Sequence, residues 1–427
     1  MSEAAVLRIP EQAPLRDLAA AMFDELHART FDGQGITREC YDDGENAAMA
    51  VYRETAERNG LKTRFDRAAN LIVSLPGDDG SKPALLLASH ADSVPQGGNF
   101  DGAAGVVSAL LCLVRLAREG ARTPCPVRAM VLRGEESAFY GRANIGSRML
   151  FGTLLPRDLE AKRRGSGRTL RETLVGAGID VEAVARRERM IDAASVRAYL
   201  ELHIEQGPVM TARKFSTAVV TGIRGNLRHR NIVCRGEAGH SGTVPRWLRR
   251  DAVFAVADLI VRLDEHWNRL LERGLDLVIT TGVIGTDPEL HALSRIPGEC
   301  AFSFEVRSQS YDTLEGFYEL FRSECRAVSD LRHVKFEFDD RVYAEPAKMD
   351  EGIVRKLVAT SEKLGLTTET LASGAGHDAA VFSNAGIPSG MIFVRNANGS
   401  HNPNESMDLD DFMLGVDLMY AFALEGP

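Results

Sequence analysis

The stretch from Leu85 to Val107 constrains this chain more than any other. An apolar run from Ala84 to Ala88, bounded by polar residues, has the pattern of a strand buried on both faces of a parallel sheet. His90 and Asp92 stand at its C-terminal end. A loop rich in Pro and Gly follows, then Asp101, then a segment from about Gly102 to Arg118 whose apolar residues recur at helical spacing. A buried strand leading through a loop into a helix predicts an α/β architecture. In open α/β sheets, ligands bind beyond the carboxyl ends of the strands. His90 and Asp101 therefore sit where chemistry is expected, and both residue types are good ligands for divalent metals.

At 427 residues the chain exceeds one ordinary core, so two domains are expected. Residues from about Leu15 to Gly60 read as helical with a break near Asp32-Gly33, and Arg64 to Leu75 as a pair of strands. Val127 to Leu132 is an apolar strand ending in Gly134-Glu135-Glu136. Leu154 to Asp192 is basic and reads as a helical, solvated outer face. A strand from Ala198 carries His203 and Gln206 and stops at Gly207-Pro208. The pattern then changes. A strand at Asn231–Gly236 precedes a helix at Asp251–Leu271, strands at Leu277–Ile284 and Cys300–Arg307, a helix at Leu314–Val328 and a strand at Val334–Phe338. That βαββαβ order predicts a small α+β domain. The α/β style resumes with a helix at Glu351–Leu364, a Gly-rich turn at Ser373–Asp378, a strand at Ser389–Val394 and Gly399-Ser400-His401. The expectation is a discontinuous α/β domain, residues 1–214 and 345–427, with an α+β domain of residues 215–344 inserted in it.

Composition excludes several partners. No apolar run is long enough to span a bilayer, and the N-terminus lacks a signal-peptide pattern, so a cytoplasmic location without membrane contact is expected. A formal net charge of −9 disfavours nucleic acid, whose phosphates need a basic face. The six cysteines are scattered with no CxxC pair, which reads as reduced thiols with neither a disulfide frame nor a thiolate zinc site.

His90, Asp101, Glu136, His203 and His401 all fall at strand ends or in loops of the discontinuous domain. No two have a local metal-binding spacing, and a lone histidine in such a place is commonly structural. Three of them with carboxylates at equivalent strand ends point to a metal site. Neighbouring side chains of an extended segment face opposite ways, so one of Glu135 and Glu136 could hold a metal while the other serves as general base; a solvated acidic loop is the alternative. Asp92, two residues after His90, can accept that ring's second N–H and fix its tautomer. Asp101 can also cap the following helix, a role compatible with metal binding.

Taken in order, HADSVPxGGxxDGxxGV from His90, GEES from Gly134, ELHIEQGPV from Glu201, GxxGHSGTVPxxxRxDA from Gly236, SGAGHDA from Ser373 and GSHNPNE from Gly399 resemble the hydantoinase/carbamoylase-type amidases. That group comprises N-carbamoyl-L-amino acid hydrolases, β-ureidopropionases and allantoate amidohydrolases, within the dinuclear-zinc aminoacylase/carboxypeptidase clan. The resemblance runs from about Gly35 to Asp408. It implies that His90 and His203 bind one metal, Glu136 and His401 a second, and Asp101 both. Zinc is the expected ion, though manganese, nickel or cobalt suit the same ligands. It implies Glu135 as general base, and Gln206, His240, Arg307 and Gly376 as substrate-binding residues. His240 would reach a partner subunit's active site, and the inserted domain would be a lid and homodimerisation domain. The implied activity is cleavage of the C–N bond of N-carbamoyl L-amino acids or related ureido acids. Allantoate or ureidoglycolate hydrolysis is the alternative, and an aminoacylase or dipeptidase a further one that ELHIEQGPV argues against. Some positions depart from the pattern. Ser294 stands where the group has a substrate-contacting Asn, Arg246 where Met is frequent and Ser137 where Gly is common, and the loop from Arg395 to His401 is shorter and lacks the usual Pro.

Overall fold

The computed structural model describes residues 14–367 and 369–427. The N-terminal segment without a signal-peptide pattern lies outside them. The chain forms two compact units, one ending at Thr221 and resuming at Met349, the other spanning Gly222–Lys348.

The first unit opens with helices α1 (Leu15–Thr30) and α2 (Asp43–Arg58). Strands β1 (Lys62–Phe65), β2 (Leu71–Ser74) and β3 (Ala84–His90) follow, then helix α3 (Ala103–Glu119) and strands β4 (Val127–Leu132), β5 (Val196–Ile204) and β6 (Thr217–Ile223). The sheet order is β1-β2-β4-β3-β5, then Ser389–Val394, then β6. The four central strands, β4, β3, β5 and Ser389–Val394, run parallel. The flanking strands β1, β2 and β6 are antiparallel. Every residue of β3 and β4 is buried, which explains their unbroken apolar runs. Because β4 and β5 flank β3 on opposite sides, the strand order reverses there, the kind of place where open sheets hold ligands.

Helix α3 lies tight on this sheet. A Cβ at Gly105 would fall 2.1 Å from the Leu202 carbonyl oxygen and 2.4 Å from Ser89 Cβ. The C-terminal helix Leu409–Glu425, which sequence pattern missed, packs beside α3, where Ser108 Oγ meets Met419 Sδ at 3.5 Å. Its apolar residues surround the helix instead of forming a stripe, so periodicity hides it. The signal that could have found it is Asp408, whose carboxylate caps the N–H groups of Asp410 and Asp411. Strand β6 was also missed. It places the unit junctions after Thr221 and after Lys348, later than the sequence boundaries of 214 and 344. The 154–192 region holds short helical pieces separated by turns, not continuous helix.

In the second unit, strand Gly225–Arg235 pairs with Glu299–Ser308 on one side and with Lys335–Phe338 and Val342–Ala344 on the other. The anticipated 277–284 strand is two short pieces, Val278–Thr280 and Ile284–Gly285. Helices Ala252–Glu272 and Tyr311–Arg332 are capped by Asp251 and Ser310. They bury Leu259, Phe317 and Phe321 against the sheet's Leu227, Phe302 and Phe304. The order is the βαββαβ read from the sequence. All six cysteines are buried and free, and among the described residues no helix is long and apolar enough to cross a membrane.

Gly105→Ala tests the α3 packing. Alanine in a helix interior ordinarily gains about 0.5–1 kcal/mol over glycine, but overpacking a core costs about 1–3 kcal/mol. With backbone at 2.1 Å the steric cost wins. The variant is expected to unfold at lower denaturant concentration, and an unchanged or higher midpoint would contradict this packing.

Candidate metal centre

The parallel strands deliver the candidate residues to one edge. Register pairs Ala88 with Glu201, two residues before His90 and His203 respectively, so the two rings leave adjacent strands side by side. β4 ends at Leu132, opposite His90, and runs on into Glu135 and Glu136. His401 lies in the loop after Ser389–Val394.

Asp92 faces His90 as expected and also holds the paired glutamates. His90 Nδ1 lies 3.1 Å from the Asp92 backbone carbonyl, nearer than the 3.4 Å to its carboxylate. The Asp92 carboxylate also accepts the backbone N–H groups of Glu135 and Glu136, both at 2.9 Å, and so fixes the segment that carries the paired glutamates. Asp101 is not the helix cap; that position belongs to Gly102, with no side-chain cap.

The imidazoles and Asp101 form a donor set without a shared proton. His90 Nδ1 faces the Asp92 carbonyl and His203 Nδ1 faces the Ile204 carbonyl at 2.9 Å. A carbonyl only accepts, so in the neutral rings each Nδ1 carries the hydrogen and each Nε2 a bare lone pair. Those two Nε2 atoms lie 3.2 Å apart. Asp101 Oδ1 sits 3.5 Å from one and 3.2 Å from the other, buried and without a hydrogen-bond donor. Three lone pairs facing one another repel, and a metal ion or a proton between them relieves the repulsion. The other Asp101 oxygen, Oδ2, turns to a second set, with His401 Nε2 at 3.4 Å and Glu136 Oε1 3.1 Å beyond. The two groups, His90/Asp101/His203 and Asp101/Glu136/His401, fit divalent metal binding. Glu135 belongs to neither group.

The electrostatics agree with a cation trap. Burial alone would raise Asp101, but the facing imidazoles of His203, His401 and His90 outweigh it and hold the carboxyl well below the usual range. Hydrogen bonds to Asp101 and Glu136 raise His401 to about 10. Burial pushes the Glu135 carboxyl well above the carboxylate range, with the charges of Glu136, Asp378 and Asp92 adding to it and His90 opposing. Its Oε1 accepts Asn144 Nδ2 at 3.2 Å, and the same amide reaches Asp378 Oδ1 at 3.0 Å.

Gln206 Nε2 donates to Asp101 Oδ2 at 2.8 Å. Gly376 is exposed, with open space where a Cβ would stand. His240, Ser294 and Arg307 belong to the second unit. There His240 pairs in register with Arg295, and the Ser294 carbonyl accepts the Ser241 N–H. Both side chains are exposed, while Arg307 Nη2 meets Glu305 Oε1 at 3.0 Å. A further buried group, Glu201, His203 and His377, lies behind the first set; burial pushes Glu201 up to about 7 and His377 well down. Sequence reasoning gave no role to Glu405, Asn144, Asp378 or the wholly buried Arg38, whose Nη2 donates to the Asp101 carbonyl. Only Glu405 and Asp378 carried a signal, as members of the GSHNPNE and SGAGHDA segments.

Residues 86–425 match the model of peptidase family M20/M25/M40. The chain is 30% identical over 383 residues to an allantoate amidohydrolase of Escherichia coli strain K12, covering 90% of each protein. It is 30% identical over 391 residues to an N-carbamoyl-L-amino acid amidohydrolase of Geobacillus stearothermophilus, covering 90% of this chain and 92% of that protein. A crystal structure of a hydantoinase/carbamoylase family amidase from Burkholderia ambifaria superposes with a TM-score of 0.81 at 26% identity, covering 96% of this chain and 98% of that one. With the two ligand groups standing at the carboxyl ends of its central strands, the chain belongs to peptidase family M20/M25/M40 and, within it, to the hydantoinase/carbamoylase-type amidases.

Proposed function

We propose that this chain is a cytoplasmic, homodimeric amidohydrolase that cleaves the C–N bond of N-carbamoyl L-amino acids or related ureido acids with two divalent ions. The observation that carries the reading is the pair of His90 and His203 ring nitrogens 3.2 Å apart, facing an Asp101 oxygen that has no hydrogen-bond donor. The names of the relatives support the substrate class. His90 and His203 would hold one ion, Glu136 and His401 the other, with Asp101 between them; zinc suits the set, as do manganese, nickel and cobalt. Bound there, the ions would supply Lewis acidity and ease the deprotonation of water.

The protein's own groups do the rest. Glu135, buried and with a raised proton affinity, takes a proton from water and passes it to the leaving nitrogen. Asp92 keeps Glu135 and Glu136 at their stations through the two backbone N–H groups. His240, contributed by the partner's inserted unit acting as lid, stabilises the oxyanion. Arg307 clamps the substrate carboxylate with its paired donors, a task lysine does less well. Gln206, Ser294 and Gly376 line the substrate site. An N-carbamoyl acid would yield the amino acid, carbon dioxide and ammonia. Allantoate or ureidoglycolate is the second reading, favoured by the relative from Escherichia coli and by Ser294 at a substrate-contacting position.

Zinc added to chelator-treated protein should raise the melting temperature; saturation at 100-fold over Kd is worth about 2.7 kcal/mol. Because Asp101 and Glu136 hold a proton on His401, metal uptake should release protons, and affinity should fall as pH falls through that raised value near 10. Neither effect appearing would remove the metal site. Glu135→Gln should keep the metal and lose turnover by roughly 10²-fold or more, measured on a panel of N-carbamoyl amino acids, N-carbamoyl-β-alanine, allantoate and ureidoglycolate; near-normal turnover would remove it as base. Mixed dimers of His240→Ala and Glu135→Gln chains should regain one working site per dimer, and no recovery would place His240 in its own subunit's chemistry.

A further inference from the structure

Glu405 has no part in the chemistry above, yet it is buried against the candidate centre. Its Oε1 accepts the backbone N–H groups of Phe100 at 2.8 Å and Asp101 at 3.1 Å. Its Oε2 lies 2.6 Å from Ser400 Oγ, which stands 2.5 Å from Asp101 Oδ2. One carboxylate thereby ties the loop carrying Asp101 to the loop carrying His401, through backbone on one side and a hydroxyl on the other. The fit leaves no slack, since a Cβ at Gly98 would come within 2.2 Å of the Glu405 carboxylate.

The two ligand groups depend on this tie unequally. His90 and His203 stand within β3 and β5, buried and held by the sheet ladder. His401 stands on a loop, its side chain 49% exposed and its backbone at φ +60. Its distance from Asp101 Oδ2 and Glu136 is set by how the two loops dock. We propose that Glu405 is a positioning residue that preassembles the Asp101/Glu136/His401 group, and that the His90/Asp101/His203 group forms without it.

This inference rests on the two-ion reading, and the experiment separates the two. Chelator-treated full-length protein is titrated with zinc alone against a chromophoric competitor, and stoichiometry and both affinities are read. Wild type is expected to take two ions. Glu405→Ala should weaken the second affinity by about 10–100-fold, the usual effect of removing a group that supports metal ligands, and the first far less, because Arg38 and Gln206 still hold Asp101. Glu405→Gln can still accept the two N–H groups and meet the Ser400 hydroxyl, so it should restore the second affinity to within a few-fold. Ser400→Ala, which leaves the backbone contacts intact, should also weaken only the second ion, and it is read if Glu405→Ala does not fold. Equal weakening of both ions, or no weakening, overturns the inference. A wild type that binds one ion or none overturns the two-ion reading and this inference together.

Discussion

The centre depends on Asp101 presenting one oxygen to each of two ligand groups. No other described side chain belongs to both of these groups, so its placement sets the distance between them. The fold fixes that residue from every direction available. Its N–H is held by Glu405, its carbonyl by Arg38, and its Oδ2 by Gln206 and Ser400. Its Oδ1 is left without a donor. A buried carboxylate oxygen with no partner is costly unless something fills the space it faces, and here it faces two ring nitrogens. Local energy is raised at one point and offset by hydrogen bonds around it.

Two residues beside Asp101 carry backbone strain. Gln206 and His401 are both in the left-handed region, at φ +62 and +60, where a residue with a Cβ costs about 1–3 kcal/mol. Asn396 Oδ1 holds the Gln206 N–H at 2.9 Å, and the Gln206 amide reaches Asp101. The strained residues aim polar side chains at one carboxylate, which extended backbone would point elsewhere.

Part of this was legible from residue order, and the reason is geometric. A parallel strand buried on both faces must be apolar throughout, so the point where polarity returns marks its carboxyl end. His90 and the Glu135-Glu136 pair stood out for that reason. The βαββαβ order of the inserted unit followed from alternating periods of two and 3.6 residues. Contacts through backbone atoms were not legible. Asp92 grips Glu135 and Glu136 by their N–H groups, 43 and 44 residues on, and any residue could supply those. Glu405 grips Asp101 in the same way across 304 residues. The resemblance named the ligand set, but not the carboxylates that orient it, and β6 was lost because its seven residues were read as the start of the insertion.

The insertion has a consequence for the order in which the protein matures on the ribosome. His90, Asp101, Glu136 and His203 all emerge before residue 222, but His401 and the strand Ser389–Val394 that flanks β5 emerge after the whole inserted unit. At about 5–20 residues per second, the roughly 200 residues between His203 and His401 take on the order of 10–40 s to synthesise. Throughout that interval the nascent sheet has an open edge at β5 and four of the five candidate ligands. Strand Ser389–Val394 and the loop carrying His401 supply both missing pieces only after the inserted unit has been made.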